Sequence, residues 1–480
     1  MRRYRLNPNG TSLIEEEREI PVARTYDVIV AGGGSAGAAA AVAAGRMGAK
    51  TLLIDRNEYL GGTSTGALMP LFGAPLDSLS GYMKEVVDEL LSLGAAQTGA
   101  FVPFDAEVLK QIHLRNVLKA GVDLLLCTWI VDAIEDGNQV RGVVVENKSG
   151  RQAFLAHTVV DATGDGDAAT FAGAEFQKGR EDGAMRPVTI IFRMGNVDMG
   201  KLVDYAASRP DQFMSDQTMS FVSFHEGKLR LAGFYDLVKA AREKGELDPE
   251  CHYLRVESGD FDKRLVMINT VRVYGIDGTN AWDLTRGVIE ARKQMDQLIR
   301  FLKRDVPGFE NAFLMNSAAM LGVRETRHII GEYVLNNDDV LTGRYFDDVV
   351  VYSCAYLPRM EMHSPDAREG AEEDDANRGE PWPRICHEIP FRSLVVKNVK
   401  NLLVAGRCIS ATHEADRITR NIPPCVMTGQ AAGTAAALAS KQGVPPSDLD
   451  IRLLQAALLK QGVDFGRPLP GLEVQHMAHS

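Results

Sequence analysis

From Thr25 onward, apolar runs and glycine-rich breaks follow one another in a regular order. YDVIVAG reads as a buried strand, GGGSAG as a turn, AAAAVAAGRMG as a helix of small residues and TLLIDR as a second strand. Apolar runs bounded by glycine suit strands covered on both faces, so this stretch reads as a β-α-β unit. A helix is predicted near 104–120. Three strand-like pieces follow, LLLCTWIVDAIE, QVRGVVVEN and RQAFLAHTVVDATG, and the turn chemistry of DGNQ and KSG between them predicts a meander.

Beyond residue 185 the pattern changes to longer strands, more aromatics and mixed charge. A long helix from about 282 places Leu284, Val288, Ala291, Met295, Leu298 and Leu302 on one stripe, the spacing of a core-facing side. Residues 364–383, acidic and proline-bearing, read as a solvated loop. From 395 an apolar strand, a glycine turn and an Ala/Gly helix return, and a closing helix is expected to be capped by Ser447 or Asp448. The implied division is a polar arm (1–24), a nucleotide-binding domain in two parts (25–184 and 395–445), an inserted substrate domain (185–394) and a C-terminal helix and tail (446–480). The expected fold class is α/β: a Rossmann-like domain with a three-stranded β-meander, plus an inserted α+β domain.

Composition narrows the chemistry. With 53 Lys+Arg against 64 Asp+Glu the net charge is −11, and there is no basic stripe, so nucleic acid is not an expected partner. Six cysteines at 127, 251, 354, 386, 408 and 425 form no C-x-x-C pair. Neither a disulfide framework nor a bound metal is expected, and a reducing cytoplasm is the simplest compartment. Val28–Gly45 and Asn421–Ser440 are uncharged, but they are rich in Ala and broken by Gly or Pro, so neither reads as a membrane span. The pattern leaves a homo-oligomer open.

The excess residue is glycine, 45 of 480, and it is clustered. In Gly32-x-Gly34-x-x-Gly37, the first allows a tight turn, the second lets a pyrophosphate approach, and the third lets helix and strand pack closely. The helix N-terminus supplies free N–H groups for phosphate. Asp55 ends the second strand where a carboxylate accepts ribose hydroxyls and repels a 2′-phosphate. NAD and FAD both suit this unit. Further clusters at LGGTSTGALMP, VVDATGDGDAAT and NLLVAGRCIS favour the longer cofactor, FAD, whose parts extend over a long path.

The set GGGSAG, ATGDGD, GVRETRHIIGEYVL, IPFRSL and NLLVAGRCISATHEADRITRNIPPCVMTGQAAGTAA resembles the broad FAD-dependent oxidoreductase family, related to flavoproteins of the glutathione-reductase and fumarate-reductase type. The resemblance runs from about 25 to 460. It implies FAD contacts at Gly32, Gly34, Ser35, Ala36, Gly37, Asp55, Arg56, Gly62, Thr63, Ser64, Ile130, Val131, Ala162, Thr163, Gly164, Asp167, Gly406, Arg407, Asn421, Ile422 and Pro423. The wider group often has Gly-Asp where this chain has Gly406-Arg407. Pro423 and Pro424 suit a helix start, and in such folds that N-terminus points at the flavin edge that gains charge on reduction. A helix end contributes up to ~2 kcal/mol in a partly buried setting.

Four residues are candidates for substrate chemistry. Arg324 suits a carboxylate or carbonyl, or else an ion pair with Glu325 or another acid. His363 or His413 would take a proton while hydride leaves. Arg420, beside Arg417 and Asn421, would contact ring or substrate. Cys425 sits in a helix first turn, a setting that lowers a thiol pKa. The expected function is dehydrogenase or oxidase chemistry, hydride passing between a small polar metabolite and flavin N5. A flavin monooxygenase and a non-catalytic electron-transfer subunit are the alternatives.

Overall fold

The computed structural model describes residues 4–69, 71–98, 102–214, 221–223, 228–260, 263–356, 364–366 and 383–472. His363 and most of the acidic segment expected to form a solvated loop lie outside these residues.

A seven-stranded sheet organises the first part. Six of its strands and their first crossover are β1 (Val22–Ala31), α1 (Ser35–Arg46), β2 (Thr51–Ile54), β3 (Asp123–Leu125), β4 (Trp129–Asp136), β5 (Gln139–Asn147) and β6 (Gly150–Asp161). The order is β3-β2-β1-β6-β5-β4. The β1–β2, β2–β3 and β1–β6 pairs are parallel, whereas β6–β5 and β5–β4 are antiparallel. The mixed α/β class with a parallel central sheet and the β4–β6 meander therefore agree with the sequence pattern. One expected strand divides. LLLCTWIVDAIE breaks at Cys127, whose φ is +53°, so its first half closes the parallel sheet and its second half starts the meander. β1 begins at Val22, three residues before the apolar run predicted from Thr25.

A six-stranded antiparallel sheet follows, built from β7 (Phe192–Gly195), β8 (Phe221–Ser223), β9 (Lys228–Gly233), β10 (Leu254–Asp260), β11 (Leu265–Ile268) and β12 (Phe313–Ser317), in the order β8-β9-β10-β11-β7-β12. Between β11 and β12 runs α2 (Ala281–Asp305), started by Asn280, whose side chain accepts from the Trp282 and Asp283 amides. Ala291, Met295, Leu298 and Leu302 are buried in the core, as the stripe predicts. Leu284 and Val288 instead face a cavity.

The chain then returns to the first sheet. β13 (Leu402–Val404) pairs in parallel with the C-terminal half of β6. It leads through α3 (His413–Thr419) to α4 (Ile422–Gln442). Helices α1 and α4 lie side by side and run in the same direction: a Cβ on Gly429 would stand 2.7 Å from the Ala36 carbonyl carbon, and one on Gly433 would stand 2.7 Å from that of Ala40. Only glycine permits backbones this close, and the contact puts both helix N-termini at the same end of the sheet.

Two further expectations are corrected. Cys354 and Cys386 face each other in the antiparallel pair Val349–Tyr356 and Arg384–Pro390 and form a disulfide. Strand register brought together cysteines that sequence spacing kept apart. The closing helix, Ile451–Lys460, is capped by Asp450, while Ser447 and Asp448 belong to a preceding 3-10 turn. Among the described residues no helix is long and apolar enough to cross a membrane.

Candidate active site

A cavity of about 540 Å³ opens at the ends of β1, β2, β6 and β13 and extends to the antiparallel sheet. Two helix N-termini border it. Gly34, the N-cap of α1, has open space where a Cβ would stand, and neither α1 nor α4 has an acidic residue in its first turn. The first-turn amides of α1, with no competing carboxylate, suit an anionic group, whereas Pro423 and Pro424 carry no N–H and leave α4 chiefly the positive end of its dipole.

The glycine turn is built as its spacing predicts. Gly32 has φ +93°, and a Cβ there would come within 2.6 Å of the Ala162 carbonyl oxygen. A Cβ on Gly37 would overlap the Gly32 carbonyl, so Gly37 serves packing beneath the cavity and does not line it. Asp55 is buried with one oxygen accepting from the Gly33 amide at 2.5 Å and the other from the Asn57 amide at 2.6 Å. Burial pushes its pKa up, while those amides oppose the shift. Asp161 shapes the opposite loop by accepting from Thr163 and from the Ala169 amide, and burial pushes its carboxyl up to about 6.

Most expected cofactor residues share this one wall: Gly32, Gly34, Ser35, Ala36, Asp55, Arg56, Gly62, Thr63, Ala162, Thr163, Gly164, Gly406, Arg407, Asn421 and Ile422 all line the cavity. Others stand behind it. Ser64 donates to the Gly61 carbonyl and touches Ser35. Asp167 accepts from Arg327. Pro423 is buried in the first turn of α4. Ile130 and Val131 do not line the cavity, because β4 is at the outer edge of the sheet, two strands from β6. Arg407 donates to Asp165 at 2.7 Å and to Thr326 at 3.1 Å. Arg407 is thereby tied to the Gly164-Asp165-Gly166 loop.

The substrate candidates separate in the same way. Arg324 and Arg420 line the cavity, whereas His413 is buried behind it. His413 Nδ1 and His328 Nε2 both donate to Glu325 Oε1, at 2.6 and 2.8 Å. Arg186, fully buried, lies 3.7 Å from Glu325 and 3.6 Å from Asp416, and donates to the His413 carbonyl. Burial opposes the charge on Glu325, but the two histidines and Arg186 hold its pKa well below the usual range. Glu325, His328 and Asp416 offer metal-type ligand atoms within 4.8 Å of one another, yet the cation between the carboxylates is already Arg186. The expected lowering of the Cys425 thiol is reversed: burial, then the Asp416 charge, push it up to about 12.

Sequence reading missed Arg230, Arg255 and Asn269, which reach the cavity from β9, β10 and β11. Arg255 and Arg230 lie 3.0 and 3.4 Å from Glu257. The alternation Arg255-x-Glu257 on a strand put both residues on one face, but nothing local showed that this face meets Arg324.

A family model described as FAD dependent oxidoreductase matches residues 27–458. The tRNA uridine 5-carboxymethylaminomethyl modification enzyme MnmG of Alkaliphilus metalliredigens is 34% identical over 160 residues, which cover 30% of this chain and 24% of that protein. The enzyme of the same name from Desulfitobacterium hafniense is 37% identical over 142 residues, covering 26% and 22%. The match thus spans about a quarter of the length of these curated relatives. Among solved structures, a geranylgeranyl bacteriochlorophyll reductase-like protein from Thermoplasma acidophilum is similar at 13% identity and TM-score 0.45, over 91% of this chain and 86% of that one.

Proposed function

The chain belongs to the FAD dependent oxidoreductase family, is an enzyme of that family and uses FAD; from that premise we propose that it exchanges a hydride between a small polar metabolite and the flavin. One observation carries the reading: a glycine-lined cradle and an arginine-lined chamber are two ends of a single cavity. In this reading residues 25–184 and 395–445 hold the cofactor, and 185–394 supply the substrate chamber.

The fit to FAD rests on the open space at Gly34, the first-turn amides of α1, the dipole end of α4 and the carboxylate of Asp55 at the end of β2. Ser35, Ala36 and Thr163 would hold the pyrophosphate end, and Asn421 with the first turn of α4 would meet the ring. Bound FAD supplies a two-electron acceptor for hydride. The positive dipole end of α4 stabilises negative charge beside it, and Leu284 and Val288 of α2 cover one wall with apolar surface. Arg324 and Arg420 orient the substrate. His413 and His328 act as positioning residues: they hold Glu325, and Glu325 with Asp416 fixes Arg186 at the cavity wall.

Anaerobic mixing of the FAD-loaded protein with a metabolite panel tests this. A donor that bleaches the flavin, with bleaching slowed when its transferred hydrogen is deuterium, is the expected result. Bleaching by NADPH alone, followed by oxygen incorporation into a product, would replace the proposal with a monooxygenase. Reduction through a protein partner alone would replace it with an electron-transfer subunit.

A further inference from the structure

Among the described residues, the chamber end of the cavity is lined by arginines and by no carboxylate. Arg230, Arg255, Arg324 and Arg420 line it together with Asn269. The lining carboxylates, Asp55 and Asp165, are both at the cradle end and both engaged, one by the Gly33 and Asn57 amides and the other by Arg407. Behind the chamber, Glu257 serves Arg230 and Arg255. Asp416 is shared between Arg420 and Arg186, each at 3.6 Å, and Glu325 serves Arg186 and two histidines.

Arg324 differs from Arg230, Arg255 and Arg420, which each have an acidic neighbour. Its hydrogen bond goes to the Pro187 carbonyl, and among the described residues no carboxylate stands within ion-pair distance of it. Burial, then the charges of Arg420, Arg272 and Arg255, push its pKa well below the ordinary value. Burial also pushes Arg420 down to about 10. Guanidinium groups keep their proton in proteins, so the depression marks cations that need an anion. Enclosed charge without a partner is costly, and a planar guanidinium matches the paired oxygens of a carboxylate or phosphate.

We propose that the substrate carries an anionic oxygen group, carboxylate or phosphate, and that Arg324 anchors it with Arg255, Arg230 and Arg420 around it. This rests on the hydride-transfer reading only in assigning the chamber to the substrate. The cradle's own arginines, Arg56 and Arg407, come from the loops after β2 and β13, whereas Arg230 and Arg255 come from the antiparallel sheet. Arg230, Arg255 and Arg324 thus come from outside the two cofactor segments, and Arg420 reaches the chamber from the edge of the second.

The test is calorimetric titration of FAD-loaded protein with succinate, inorganic phosphate and the neutral diamide succinamide. Saturable binding of succinate or phosphate, and none of succinamide, is expected; whichever anion binds more tightly names the group. Arg324→Met removes a charge without stripping a buried acid of its partner, so it is the cleanest variant. It should keep its flavin and its melting temperature while weakening the anion by about tenfold or more, the scale of one charged hydrogen bond, with Arg324→Lys intermediate. Arg255→Met reports the second anchor, with flavin content as the check on folding. Equal affinity for succinate and succinamide, or unchanged anion affinity in Arg324→Met, would overturn the proposal. The two readings fail separately. Flavin bleaching by neutral donors alone would sink the anion site and leave hydride transfer standing. Arginine-dependent anion binding with no metabolite able to bleach the flavin would do the reverse.

Discussion

Adding one methyl group at Gly433, and separately at Gly429, tests the contact that aligns the two helix starts. In an isolated helix, Gly→Ala stabilises by about 0.5–1 kcal/mol. Here the new Cβ of Gly433→Ala would stand 2.7 Å from both the carbonyl carbon and the Cα of Ala40, and that of Gly429→Ala 2.7 and 2.9 Å from the same atoms of Ala36. Carbon atoms prefer about 3.5–4.0 Å, so the helices must separate by roughly 1 Å. The clash is with backbone, which has no rotamer to escape into, and overpacking of this kind costs about 1–3 kcal/mol. Repulsion therefore outweighs propensity, and each variant should lose about 1–2 kcal/mol net. Gly200→Ala is the control: it lies in the helix Met199–Ser208, and its Cβ would meet nothing closer than the Asp198 carboxylate at 3.4 Å. Urea unfolding of the FAD-free protein, monitored by circular dichroism, should show earlier midpoints for the two core variants and a later or equal one for the control. Fluorescence of released FAD should rise more for Gly429→Ala, whose contact is one turn nearer the helix starts. If both core variants proved as stable as the Gly200→Ala protein, the close parallel packing of α1 and α4 would be wrong.

Three further outcomes are expected. Glu325 has a depressed pKa in the folded state, so the stability it contributes is complete above its ordinary 4.5 and is lost as pH falls below it; Glu325→Gln should cost about 3–5 kcal/mol near neutrality and show a flatter acid limb in denaturant titrations, and a variant matching wild type at neutral pH would refute the network. The Cys354–Cys386 bridge closes a separation of 32 residues, so the double serine variant should lose about 3–4 kcal/mol, read from unfolding with and without reductant, against no change if the bond does not form. Iodoacetamide at mildly alkaline pH should alkylate exposed Cys127 and spare Cys408 and Cys425, whose thiols burial pushes up; mass spectrometry showing Cys425 labelled first would contradict this.

What the sequence determined by itself was local. Apolar runs ending in glycine fixed the strands of the parallel sheet, because a covered strand and a tight turn each demand particular residues within a few positions. The Gly32-x-Gly34-x-x-Gly37 turn, the meander and the small-residue helices were legible for the same reason, and the cluster set sufficed to place the chain in its family. Tertiary structure alone decided whatever depends on register or on two distant segments meeting. Strand pairing joined Cys354 to Cys386, moved His413 behind the wall into the grip of Glu325, and withdrew Ile130 and Val131 to the sheet edge. It also carried Arg230 and Arg255 across the cavity to Arg324. Charge balance in a chamber is a sum over residues far apart in sequence, and no window along the chain contains that sum.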